Sequence, residues 1–142
     1  MNGNAELLNF IYQNSQMGVG TIEHLIGINE DEEFKKLLTS QLNGYREIRT
    51  DVKSLLNKNG YDEKGISTLE KTRTYLMINM QTLINKTPSH ISEMLIIGSN
   101  MGVIDAIKNI KKYQGAEREI LELMDKLLKF EDENIKQLKN FL

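Results

Sequence analysis

The fold is decided by the stretch TPSHISEMLIIGSNMGVIDAIKNIKKY, residues 87–113. The spacing of its apolar residues is that of one long helix. Thr87 suits the N-cap position, and Pro88 suits the first helical position, where its missing N–H costs nothing. Residues separated by three and four positions form an apolar stripe, which we expect to face the core. The members of this stripe are Met94, Ile97, Met101, Ile104 and Ile107.

Beside the apolar stripe runs a second one that becomes small and then polar. It consists of Ile91, Leu95, Gly98, Gly102, Asp105 and Asn109. Each glycine inside a helix lowers its stability by about 1 kcal/mol relative to alanine, so a compensating interaction is expected. Two interpretations stay open, namely close packing of a neighbouring helix and space for a ligand. Both apply equally to Gly18 and Gly44 in the helices that precede this one.

Composition limits the classes of function. The 142 residues suffice for one domain with its own core. The chain has no cysteine, which excludes disulfides, zinc–thiolate sites and iron–sulfur clusters. Its 18 basic and 20 acidic residues are interspersed, which argues against nucleic acid or an anionic membrane as the partner. With no signal-like N-terminus and no long apolar run, the sequence predicts a cytoplasmic protein.

Amphipathic spacing predicts further helices on both sides of the deciding stretch. Long helices are expected at residues 4–26, 30–58, 88–113 and 116–141, and a shorter one at 68–86. Asn4 and Asn29 are the expected N-caps of the first two. Short turns join the first and second long helices and the third and fourth, whereas residues 61–87 make a long connection. The predicted fold is therefore all-α, a four-helix bundle of two antiparallel hairpins with a long crossover that contains the extra helix.

A polar layer is expected at the middle of this bundle. Counting from the hairpin turns places Ser15, Gln41, Gly98 and Glu131 at one height, on helix faces that are otherwise apolar. A buried carboxylate must be paired, hydrogen-bonded or protonated, because desolvating a bare charge costs several kcal/mol. We therefore expect Glu131 to contact Gln41, Ser15, Tyr45 or a bound cation.

This arrangement resembles the ferritin-like superfamily, the group of ferritins and rubrerythrins. Its members hold two iron ions with a Glu from each of two helices and a Glu-x-x-His from each of the other two. At the matching height the first long helix has Ser15 or Gln16, and the second has Gln41 and Gly44. The third has Gly98, and the fourth has Glu131 and Asn134. The resemblance implies a metal site at Glu131, Gln41 and Asn134. A di-iron centre is not supported, since one glutamate and amides are too few ligands.

The two histidines form a second candidate metal site. His24 near the end of the first helix and His90 near the start of the third are expected at the same end of the bundle. Histidine is a common metal ligand, but exposed histidines at helix ends are also ordinary. The sequence has no Ser/His/Asp arrangement and no glycine-rich phosphate loop. We therefore name no catalytic residue, and enzyme activity is not favoured.

Three functions are compatible with this pattern. The favoured one is a non-catalytic ferritin-like bundle that acts through contacts with another protein or through self-association as a homodimer. The second is a divergent metal-binding protein or oxidoreductase with one ion near Glu131. The third is a small-molecule binder whose pocket is lined by Gly18, Gly44, Gly98 and Gly102.

Overall fold

A computed structural model describes residues 2–62 and 69–142. In these residues the chain forms α-helices and one short 3-10 helix, with no strand, which confirms the all-α class. The helices are α1 (Asn4–Ile28), α2 (Glu32–Lys58), α3 (Glu70–Gln81), α4 (Pro88–Lys112) and α5 (Arg118–Leu138), followed by the 3-10 helix Lys139–Phe141. Within the described residues, none of these helices has the length and apolar character needed to span a membrane.

The helices pack mainly as sequence neighbours. α1 contacts α2 along its length, α4 contacts α5, and α3 lies against α4. α5 also contacts α1 and α2, and α1 contacts α4, so the two pairs share one interior. On α1, α2 and α5 the apolar residues at heptad spacing, whose pattern predicts these helices, are almost all buried.

Helix caps explain where α2 and α4 begin. The Thr87 hydroxyl accepts a hydrogen bond from the His90 N–H at 3.3 Å, which confirms the predicted cap of α4. The predicted caps of the first two helices are wrong. α2 begins after Asp31, whose carboxylate accepts from the Phe34 N–H, while Asn29 accepts from the Asp31 N–H. A side-chain acceptor three residues before a free N–H is the geometry that a cap needs, and Asp31 provides it.

Asn4 lies inside α1 and has a tertiary role. Gly3, at a φ of 84°, takes the N-cap position, and the close approach of the Tyr113 ring leaves no space for a β-carbon there. The Asn4 side chain is 2% exposed and accepts a hydrogen bond from the Glu117 N–H at 2.9 Å. Asn4 therefore joins the start of α1 to the start of α5, because it binds an N–H that α5 cannot satisfy internally.

α3 is shorter than the 68–86 helix that the sequence predicts. Thr82 ends it, with a hydroxyl that donates to the Ile78 carbonyl at 2.9 Å. Further on, Pro88 restricts Thr87 to extended backbone, so a continuous helix into α4 is not possible. The predicted start of this helix, Thr68, lies outside the described residues.

α4 turns the stripe that contains the glycines towards the core, and not the neighbouring apolar stripe that its sequence predicts. The buried residues of the stripe that contains the glycines include Ile91, Leu95, Gly98 and Gly102. Of the predicted core stripe Met94 is buried, but Ile97, Ile104 and Ile107 are 41%, 53% and 40% exposed. The prediction was wrong because large side chains from other helices fill the space above the glycines, so the weaker stripe makes the closer packing.

A polar level separates the core into two apolar clusters. The first cluster is built around Phe10, Val52 and Leu127, and the second around Phe34, Leu25 and Leu95. Close to where the two clusters meet, α1, α2 and α5 bury polar residues as well. They are Gln13, Asn14 and Ser15 on α1, Gln41 on α2, and Glu131 and Asn134 on α5.

Candidate functional site

A small cavity lies at this polar level, and all five α-helices line it. Its volume is about 30 Å³, which is room for one or two water-sized species. Its polar lining comes from Asn14 and Thr21 of α1, Gln41 and Tyr45 of α2, Thr72 of α3, Ser99 of α4 and Glu131 of α5. Met17, Leu76 and Leu95 are among the apolar residues that complete it.

Glu131 is the acidic residue of this cavity. It is 3% exposed, and the Tyr45 hydroxyl donates a hydrogen bond of 2.6 Å to its Oε1 atom. Burial raises the pKa of Glu131 to about 7, although hydrogen bonding from Tyr45 and Ser99 opposes the rise. Burial and the neighbouring carboxylate also hold the pKa of Tyr45 well above its usual range, so Tyr45 remains a proton donor.

The charge of Glu131 has no basic partner among the described residues that line the cavity. The nearby Gln41 amide donates to the Asn134 carbonyl at 3.4 Å instead. The Thr72 hydroxyl, in a residue that is 1% exposed, and the Asn134 amide nitrogen have no hydrogen-bond partner among the described residues. Unpaired buried polar atoms are unusual in folded proteins, and Thr72 lines the cavity, so the cavity has unused capacity for a hydrogen bond.

The structure brings together three of the four residues whose convergence the sequence predicts. Gln41, Gly98 and Glu131 line the cavity, and Tyr45 is one of the predicted partners of Glu131. Ser15 is buried close to this level, but its hydroxyl donates to the Tyr12 carbonyl at 2.8 Å within α1. The sequence-based prediction includes no residue of the crossover helix among the site residues, and it therefore misses Thr72. Its position one turn before Leu76, on the same amphipathic face, was the available signal.

The candidate glycines make close contacts with side chains of other helices. A β-carbon at Gly18 would lie 2.6 Å from the Tyr45 ring, and one at Gly98 would lie 2.9 Å from Leu76. At Gly44 the Phe130 ring occupies that space, and at Gly102 the Asn14 amide approaches to 3.2 Å. The close-packing interpretation therefore describes these positions, with aromatic and aliphatic side chains as the neighbours.

The predicted metal ligands lie in two places. Gln41, Glu131 and Asn134 are buried at the polar level, whereas His24 is exposed and His90 is partly buried. Among residues 2–62 and 69–142, no group of three or more His, Cys, Asp or Glu side chains is arranged to hold a metal ion. A metal role for either set stays a prediction.

The solvent-facing side of α4 is a second candidate site. Glu93, Ile97, Asn100, Ile104 and Lys108 share one face at helical spacing, and we call this the outer face of α4. Ile107 borders it. In the middle of the outer face, Ile97 and Ile104 flank Asn100, whereas acidic Glu93 lies towards its N-terminal end and basic Lys108 towards its C-terminal end. Exposed isoleucines in a row on one helix mark an interaction surface more often than scattered ones do.

Comparison with known proteins shows a likeness of fold alone. No protein-family model matches the chain, and no curated protein matches it. The crystal structure of a DUF305 fragment from Deinococcus radiodurans superposes with a TM-score of 0.79. The sequences are 11% identical, and the match covers 99% of this chain and 95% of that chain. This neighbour belongs to a different helical family, so the ferritin-like resemblance is wrong. The ferritin-like resemblance rests on polar inward residues in several helices, and that pattern is not specific to one family.

Proposed function

We propose that this chain is a non-catalytic helical bundle that acts by self-association through the outer face of α4. The exposure of Ile97 and Ile104, 41% and 53%, supports the proposal. Both side chains lie at the centre of a face at one heptad spacing, where a second helix could cover them. Burial of such side chains is favourable by about 25 cal/mol per Å² of apolar surface, and this drives association.

The proposal includes the four-helix arrangement that the sequence predicts. α1 with α2 and α4 with α5 would be the two antiparallel hairpins, and α3 would lie in the crossover between them. The contacts between α1 and α2, between α4 and α5, and between α3 and α4 support this topology. In such a bundle α3 covers one flank of α4 and leaves the outer face free. A cytoplasmic location stays a prediction of the sequence.

Replacing Ile104 by Glu should convert the self-associated protein to a monomer, because a charge would then be desolvated in the apolar centre of the contact. Sedimentation velocity over a series of protein concentrations measures this. Ile84→Glu is the matched control, since Ile84 is 93% exposed and lies outside the outer face. Equal association of both variants would contradict the proposal, as would a wild-type protein that stays monomeric at all concentrations.

A second candidate function is the binding of one small cation next to Glu131. The buried carboxylate without a basic partner and the unpaired Thr72 hydroxyl support it. Together with Gln41 and Ser99 these groups offer oxygen ligands, which hard cations prefer. The cavity of about 30 Å³ suits an ion of the size of water, and we do not extend the proposal to an organic ligand.

Metal analysis of the purified protein tests the second candidate. We expect about one ion per chain, lost in Glu131→Gln, because the neutral amide removes the charge that attracts the ion. Glu133→Gln, which makes the same chemical change at an exposed position of α5, should keep the ion. Equal metal content in the two variants would contradict the candidate.

A further inference from the structure

The outer face of α4 has a charge pattern that reverses from one end to the other. Exposed Glu93 lies near the N-terminal end, and exposed Lys108 and Lys111 lie near the C-terminal end. Ile97 and Ile104 lie between them, with exposed Asn100 at the centre. Glu93 and Lys108 are equally distant from the midpoint between Asn100 and Met101, and so are Ile97 and Ile104.

The geometry points to a second copy of this chain as the partner, with the two α4 helices antiparallel around a two-fold axis at Asn100 and Met101. This inference rests on the proposed self-association and adds its geometry. In an antiparallel pair each Ile97 would face Ile104 of the other copy, and each Glu93 would face Lys108 of the other copy. A two-fold contact repeats each pairing twice, so two ion pairs would flank one apolar centre.

The parallel alternative lacks this complementarity. There each residue faces its own equivalent, which puts Glu93 beside Glu93 and Lys108 beside Lys108. Like charges in opposition are unfavourable, and pairs at the edge of an interface mainly determine orientation and partner choice. The antiparallel arrangement is therefore the one that both the apolar and the charged residues favour.

Charge reversal tests the arrangement. Glu93→Lys alone and Lys108→Glu alone should each weaken self-association by about tenfold, because two favourable pairs become two unfavourable ones. The double variant, Glu93→Lys with Lys108→Glu, should restore the wild-type dissociation constant. In a parallel pair the single variants would retain like-charge contacts and change little. Single variants that associate as the wild type does would overturn the antiparallel arrangement.

Cysteine cross-linking gives an independent measurement, since the chain has no cysteine of its own. Asn100→Cys should form a disulfide-linked dimer rapidly, because the two positions lie beside the axis. Glu93→Cys should not, because the two positions would be about 22 Å apart at 1.5 Å per residue. A mixture of Glu93→Cys and Lys108→Cys should cross-link. Rapid cross-linking of Glu93→Cys alone would overturn the arrangement.

The experiments distinguish failure of the antiparallel geometry from failure of the proposed self-association. If Ile104→Glu abolishes association but charge reversal has no effect, the outer face is the interface and the antiparallel geometry is wrong. If Ile104→Glu associates as Ile84→Glu does, the outer face is not the interface and both proposals fail.

Discussion

Glu131→Gln should raise the stability of the protein above neutral pH by about 3 kcal/mol and remove most of the decline in stability that accompanies deprotonation. The pKa of Glu131 rises from 4.5 to about 7 on folding, chiefly because the carboxyl is buried. Each pKa unit corresponds to about 1.4 kcal/mol of free energy, so the whole shift corresponds to about 3 kcal/mol.

The sign follows from proton binding. Between pH 4.5 and 7 the folded protein keeps the proton on Glu131 while the unfolded chain has released it. Stability therefore falls as the pH rises through this range, and the loss is complete above pH 7. The glutamine side chain of the variant cannot ionise, so the variant should lack this contribution, and its amide oxygen can still accept the Tyr45 hydrogen bond.

Urea denaturation at a series of pH values from 4 to about 8.5 measures this effect. The buffers should contain tetramethylammonium as the cation, so that no small ion compensates the carboxylate. Glu133→Gln is the control, because this exposed residue on the same helix should leave the pH dependence unchanged. If Glu131→Gln and Glu133→Gln show the same pH dependence, Glu131 does not retain its proton in the folded protein.

Gly44→Ala should destabilise the protein by about 1–2 kcal/mol, although alanine is the better helix former. The added methyl group would overlap the Phe130 ring, and this ring packs edge-on against Tyr45 at a centroid distance of 4.8 Å. Overpacking typically costs about 1–3 kcal/mol, and the gain in helix propensity returns about 1 kcal/mol at most. Tyr45 contacts this ring and lines the cavity, so a shift of the ring towards Tyr45 would also disturb the cavity.

Gly20→Ala is the matched control in α1, and we expect the opposite sign. A β-carbon at Gly20 would have no neighbouring atom within 4 Å, so the substitution should stabilise the protein by about 0.5–1 kcal/mol. Chemical denaturation at one low protein concentration compares the two variants, since self-association would otherwise add to the apparent stability. A Gly44→Ala variant as stable as Gly20→Ala would show that Phe130 does not pack closely on α2.

The all-α class and most of the helices could be predicted because they follow from local patterns. Apolar residues at heptad spacing identified the helices, and Thr87 with Pro88 marked the start of α4. The polar level could also be predicted, since helix length is proportional to residue number and heights can be counted from the turns. That count predicts that Gln41 and Glu131, which are 90 residues apart in the sequence, lie at one height, and both line the cavity.

The orientation of α4 could not be predicted, because the choice between its two stripes depends on residues of other helices. Ile97, Met101 and Ile104 are the more apolar set, and local pattern alone favours them as core. Contacts of Leu76 with Gly98 and of Asn14 with Gly102 turn the other stripe towards the core instead. Such contacts join distant parts of the chain, and no local spacing contains them. The family resemblance failed for a related reason, since a shared height of polar residues is a property of many bundles.

The polar level has a consequence for the alignment of the helices along the bundle axis. Glu131 accepts its hydrogen bond from Tyr45 at the polar level, and the first apolar cluster, which includes Ile48 and Leu127, lies on one side of that level. Sliding α5 along α2 by a single turn, about 5.4 Å, towards Ile48 would carry the carboxyl group into that cluster. The cost of a buried, unpaired charge there, several kcal/mol, penalises that shifted arrangement of α5 on α2. Burial of Glu131 therefore lowers the stability of the protein in neutral solution, and it also disfavours this shift of α5 along α2.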